Sequence, residues 1–143
     1  MLRIVLTAIQ EPLLEAWQKY CGDLDFVELY HGSIFAVECD AVVSPANSFG
    51  FMDGGIDRLY TKQYGRAVQH QLQELIRDCH HGELLVGRAE IVSIPENNQA
   101  NFLIAAPTMR IPQILTDTIN PYLAARAVFI NILDGHFRAG VHK

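Results

Sequence analysis

The sequence predicts an α/β fold, a mixed sheet covered by helices, on three observations. Short apolar runs alternate with stretches of helical period along the chain. The run Ala41 to Val43 is too continuously apolar for a strand with one face in water. The last two apolar runs flank the polar turn "PENNQAN", which reads as an antiparallel hairpin connection.

In order, "RIVLTAI" (Arg3 to Ile9) reads as a buried strand. Pro12 stands where a first helical turn tolerates it, and Leu13, Leu14, Trp17 and Cys21 share one face before Gly22 stops the helix; Trp17 is read as core packing. "FVELYHGSIF" gives a second strand ending near Gly32, and "DAVVSPAN" a third. From Ile56 the apolar positions Leu59, Tyr60, Tyr64, Ala67, Val68, Leu72, Leu75 and Ile76 keep helical phase, with a break at Gly65. "AEIVSI" and "NFLIAAP" give the hairpin strands. Asn120-Pro121 opens a last helix, closing near Gly140, on which Tyr122, Ala125, Phe129, Ile132, Leu133 and His136 share a face. The Phe129, Ile132, Leu133 stripe is read as core.

At 143 residues, half of them hydrophobic and 19% charged, the chain is expected to form one domain over residues 1–143. No run approaches about 18 apolar residues, and "MLRIVLTAIQEPL" lacks the features of a signal peptide, so a cytoplasmic protein with no membrane partner is expected. Three scattered cysteines suit reduced thiols, and Cys39 has no neighbour that would make it a nucleophile. The net charge is −5, with eleven basic residues dispersed among sixteen acidic ones, which argues against duplex nucleic acid as a partner. The six histidines form no spaced ligand set, His80-His81 reads as a solvated helix end, and Arg110 as a solvated loop arginine. No metal and no cofactor are expected.

The chemistry concentrates in "DAVVSPANSFGFMDGGID", Asp40 to Asp57. A loop from a strand end into a helix start is where α/β sheets bind ligands. Gly54 and Gly55 let backbone approach a ligand closely, and the following helix aims free N–H groups at that point, which suits an anion. Asn47 offers an amide suited to sugar hydroxyls, Phe49 and Phe51 an apolar wall for a ring, and Asp57 a helix cap or a group that polarises water. The same features also describe a glycine-rich turn with a capping Asp.

This stretch resembles the signature of the macrodomain family, in which an Asn-Ala-Ala-Asn-like segment precedes a glycine loop and a helix beginning Val-Asp or Ile-Asp. The likeness extends through "GRAEIVSIP", "NFLIAAP" and the helix from Pro121. It implies a three-layer α/β/α sandwich with a central mixed sheet that binds ADP-ribose or an ADP-ribosylated substrate. Hydrolysis of mono-ADP-ribosyl esters or of O-acetyl-ADP-ribose is implied too, with a non-catalytic reader as the alternative. The resemblance gives Asn47 and Asp57 catalytic roles at the distal ribose, and ligand contacts to Ser33, Ile34, Ala46, Asn47, Phe49, Gly54, Gly55 and Ile56.

Two departures shape the expectation. The family's Gly-Asp-Ile, whose Asp recognises adenine, is here Gly32-Ser33-Ile34, so a neutral hydroxyl replaces a carboxylate and adenine preference is expected to weaken. The family also continues beyond "AGVHK" with a strand, a second glycine loop and a helix. The chain is therefore expected to be C-terminally shortened, with an uncovered sheet edge open to self-association and an inactive, self-associating fragment as a further alternative.

Overall fold

A computed structural model describes residues 2–134. His136 and the expected helix end near Gly140 lie outside the described residues. Contacts divide the chain into two compact units, Met1–Glu38 and Cys39–Lys143.

The first unit is a β-α-β arrangement. Strand β1 (Ile4–Ala8) and strand β2 (Val27–His31) pair in parallel, Ile4 opposite Val27 and Ala8 opposite His31, with helix α1 (Glu11–Cys21) between them in sequence. Pro12 lies in the first turn of α1, where its missing N–H has no acceptor to lose. Trp17 is half-buried, and its indole donates to the Thr7 carbonyl (3.3 Å), tying α1 to β1. The second strand stops at His31, next to the Gly32 at which the sequence places its end. There the Ser33 hydroxyl accepts from the Phe35 amide (3.2 Å) and opens a 3-10 turn over Ile34–Ala36, a local side-chain bond that competes with strand pairing.

The second unit contains strand β3 (Ala41–Ser44), helices α2 (Gly55–Tyr64) and α3 (Ala67–Cys79), strands β4 (Glu90–Ser93) and β5 (Phe102–Ala105), and helix α4 (Asn120–Leu133). The sheet order is β3-β5-β4: β3 runs parallel to β5 with Val42 opposite Leu103, and β4 runs antiparallel to it with Ile91 opposite Ile104. The sheet is mixed, as the sequence predicts. Gly65, at φ +95°, separates α2 from α3 where the break was expected.

Ile91, Ile104 and Ala106 form one core cluster with Ala124 and Val128 of α4. Leu103 and Val92, one residue out of phase, point to the other face and are equally enclosed. Val68, Leu72 and Ile76 are the buried stripe of α3, which runs against β4. The outer edge of β4 is closed by a side chain: the Gln71 amide accepts from the Ser93 N–H (3.0 Å) and donates to the Ser93 carbonyl (3.2 Å). That occupies positions an added strand would otherwise use.

Two expectations fail here. The Phe129, Ile132, Leu133 stripe is not the core face of α4. Ile132 packs against the core, but Phe129 is 40% and Leu133 80% exposed, while Ala124, Ala127 and Val128 are buried. α4 is apolar on both sides, so periodicity alone does not choose the inner one, and its small residues face the sheet. Nor is His80 a solvated helix end. Its ring lies 3.2 Å from the Glu90 carboxylate, with both side chains largely buried, and it fastens the end of α3 to β4; His81 beside it is exposed.

Candidate functional site

The segment from Pro45 to Gly54 is built from the inside out. At its start the β3–β5 pairing continues past the strand ends: the Ala106 amide donates to the Ser44 carbonyl and the Thr108 amide to that of Ala46, both at 3.0 Å. Asn47 then folds the chain over itself. Its Oδ1 accepts from the amides of Phe49 (3.0 Å) and Phe51 (3.3 Å), and its Nδ2 donates to the Phe51 carbonyl (2.8 Å). Gly50 lies at φ +71°, and a Cβ there would stand 2.9 Å from Ile76 Cδ1 and 3.2 Å from Gln73 Cγ. Only glycine combines that conformation with so close an approach to α3. Gln73 donates to the Phe49 carbonyl (3.3 Å), Gln69 accepts from the Met52 amide (2.7 Å), and Thr61 donates to the Met52 carbonyl (2.7 Å). The loop is anchored on both helices that come after it.

Beyond this anchored stretch the backbone opens. Gly54 is extended and Gly55 takes φ +56°; a Cβ at either would meet nothing within 4 Å. The first α-helical bond runs from the Arg58 amide to the Gly54 carbonyl (3.2 Å), so the amides of Gly55, Ile56 and Asp57 have no acceptor within the helix. The open glycines and the positive end of α2 coincide.

Asp57 points the other way. It is 6% exposed, and the hydroxyl of the fully buried Ser44 donates to its carboxylate. Desolvation raises its pKa from 3.8 to about 6; the Ser44 bond pulls down and the Asp53 charge adds to the rise. Phe49 is half-buried beneath the Arg110 guanidinium, 5.1 Å from the ring centre, and Arg110 is ion-paired to Glu83 at 2.6 Å. Phe51 is 52% exposed.

Solved structures with this architecture are macrodomains. The macrodomain of Mycobacterium tuberculosis DarG matches with a TM-score of 0.56 and 20% identity, over 72% of this chain and 65% of that one. The Oryza sativa APL macrodomain, solved in complex with ADP-ribose, matches with a TM-score of 0.67 and 18% identity, over 92% of this chain and 77% of that one. The chain has the macrodomain fold. It spans less than two thirds of the DarG macrodomain and about three quarters of the APL macrodomain. No family model matches the sequence, and no curated protein does.

Within this macrodomain fold the expected site residues fall into groups. Gly54, Gly55 and Ile56 lie together at the open start of α2, with Asn47 holding the loop before them. Ala46 is 2% exposed and takes part in the strand extension through its carbonyl. Asp57 is neither a cap nor at the surface, because burial and Ser44 turn it inward. Phe49 has one face taken by Arg110, so of the two expected wall residues Phe51 is the one that is open. Arg110 is the exposed loop arginine that the sequence predicts, and it is also paired with Glu83 over the Phe49 ring. Ser33 and Ile34 belong to the first unit, where the Ser33 hydroxyl caps a 3-10 turn. Sequence reasoning passed over Ser44 and the packing of Gly50, whose positive φ and closeness to Ile76 and Gln73 depend on where α3 lies. Among the described residues no cluster of three His, Cys, Asp or Glu could hold a metal ion. Cys21, Cys39 and Cys79 are free thiols, and burial, then Asp40, push the Cys39 thiol up, keeping it protonated and unreactive at neutral pH.

Proposed function

We propose that this chain binds ADP-ribose or an ADP-ribose derivative, in a cytoplasmic setting, with the ligand's diphosphate on Gly54, Gly55 and the amides that open α2. The observation that carries the reading is the coincidence of an unobstructed Gly-Gly backbone with N–H groups that lack helical acceptors. A diphosphate supplies the acceptors, and the helix dipole favours its charge. The fold, shared with a rice macrodomain solved in complex with ADP-ribose, supports the choice of ligand. Asn47 serves by fixing the loop: one Nδ2 proton is taken by the Phe51 carbonyl, and the other is left for a ribose hydroxyl. Phe51 offers its exposed ring to an apolar face of the ligand.

Gly54→Val is the informative variant. Extended backbone accepts valine, and there is room for the side chain, so the fold should persist while the isopropyl group shields the amides. ADP-ribose affinity should fall about tenfold or more, the equivalent of one or two lost charge-assisted hydrogen bonds. Unchanged affinity in a folded Gly54→Val chain would place the diphosphate elsewhere.

A second reading, hydrolysis of a mono-ADP-ribosyl ester or of O-acetyl-ADP-ribose, is favoured by one observation. A carboxyl at about 6 is a stronger base than an ordinary aspartate and is still ionised at neutral pH. In that reaction a water loses its proton to Asp57 as its oxygen bonds to the carbon under attack, and the leaving oxygen departs with the bond's electron pair. Asp57 would have to turn from Ser44 toward the ligand. Asp57→Asn should then abolish turnover of O-acetyl-ADP-ribose while ADP-ribose binding survives; a wild-type chain that binds without turnover is a reader.

A further inference from the structure

Asp57 is a buried carboxyl in the very turn that the proposed ligand meets. Its backbone supplies the third of the opening amides of α2, while its side chain turns inward and takes a hydrogen bond from the Ser44 hydroxyl. Ser44 is fully buried, and its carbonyl is held by the Ala106 amide (3.0 Å), so that hydroxyl is fixed to the sheet. One turn further along α2, the Tyr60 hydroxyl donates to the Val43 carbonyl (2.8 Å). Two side chains of α2 therefore reach the end of β3. Burial keeps Tyr60 protonated, so of the two only Asp57 changes charge near neutral pH.

The surroundings of Asp57 offer its charge little compensation. Ser44 of β3 gives one neutral donor, the exposed Asp53 of the loop opposes it, and Tyr60 lies on its own helix. Strand β5, paired with β3, carries no titratable residue, and on α3, which packs on α2, His70, Glu74, Arg77 and Asp78 are all exposed. Arg58 is exposed as well, and among the described residues no cation is within ion-pair distance of Asp57. An ionised Asp57 is thus offset chiefly by the positive end of α2, the feature on which a diphosphate also depends. The two anions compete for it.

We infer that ADP-ribose, bound by the diphosphate contacts proposed above and resting on that reading, is taken up together with a proton on Asp57, which Ser44 positions inside the turn. Linkage makes the effect reciprocal: the proton strengthens ligand binding by the factor by which the ligand strengthens proton binding. The sign follows from the charges. Without ligand the carboxyl titrates at about 6, and a bound diphosphate raises it further, so affinity is highest where Asp57 is neutral and falls as pH rises through neutrality. The diphosphate itself keeps its charge over this range.

Calorimetric titration of the whole chain with ADP-ribose, in pairs of buffers that differ in ionisation heat, reads the proton directly. Affinity should be about fivefold or more tighter at pH 5 than at pH 7.5, with a substantial fraction of a proton taken up per ligand near pH 6.5. Asp57→Asn, which keeps the shape of the side chain, should lose both the proton uptake and the pH dependence. Ser44→Ala removes a donor that favours the charged form, so the midpoint of the pH profile should move upward, a shift that general loosening of the loop does not produce. Saturable binding with no proton uptake, or with the same uptake in Asp57→Asn, overturns the coupling and leaves the binding reading standing. A folded chain that gives no heat at any of these pH values overturns both.

Discussion

Asp57 shows how one buried group links stability to pH. Its carboxyl titrates at about 6 in the folded chain against 3.8 without the fold, so between those values the folded state holds more protons than the unfolded one. The contribution to stability is therefore full below about pH 4, falls as pH rises, and is lost above about pH 6, amounting to about 3 kcal/mol across the window. Urea denaturation at pH 4.5 and pH 7 should show about two thirds of this loss in the wild type and a much smaller one in Asp57→Asn; an unchanged slope in the variant would assign the effect to another group. Gly50 and Gly54 separate two uses of glycine. Gly50→Ala meets both a positive φ and a crowded helix and should cost about 1–3 kcal/mol, whereas Gly54→Ala, extended and open, should change stability by no more than about 0.5 kcal/mol. Chemical denaturation of both variants checks the contrast. The sequence shows that glycines punctuate this loop, but which of them packs and which stays open depends on where α3 lies, a long-range fact absent from the local pattern. Asp57 illustrates the same limit: its place in the first helical turn is legible, but its inward direction depends on Ser44, thirteen residues earlier.

Elements with strong short-range signals were readable, and those decided by competition were not. The β4–β5 hairpin is legible from its polar turn and apolar flanks, and the break between α2 and α3 from Gly65. The end of β2 is legible from Gly32, but the 3-10 turn that the Ser33 hydroxyl opens just after it is not. The inner face of α4 was hidden because both faces are apolar, and only the fit of Ala124, Ala127 and Val128 against the sheet chooses. At this scale the Gln71 clasp on β4 is open to test. Gln71→Ala removes two hydrogen bonds, each worth about 1 kcal/mol, and leaves the Ser93 N–H exposed. Its amide exchange should accelerate about tenfold or more while amides in β5, paired on both sides, change only with global stability. Exchange at Ser93 as slow as in the wild type would show that the clasp does not protect the edge.

For the molecule as a whole, the resemblance carried by "SPANSFGFMDGGID" and the two hairpin strands led to the macrodomain fold, and the solved macrodomains match it at 18% and 20% identity. The choice of ligand rests on the open start of α2. Calorimetric titration of the 143-residue chain with ADP-ribose and with AMP, in wild type and Gly54→Val, tests that claim most directly. The expected result is saturable heat with ADP-ribose, weaker binding of AMP, which lacks the diphosphate and distal ribose, and loss of at least about tenfold in affinity for ADP-ribose in the variant. A folded wild-type chain that gives no heat with ADP-ribose, or a folded variant that binds it equally well, would contradict it.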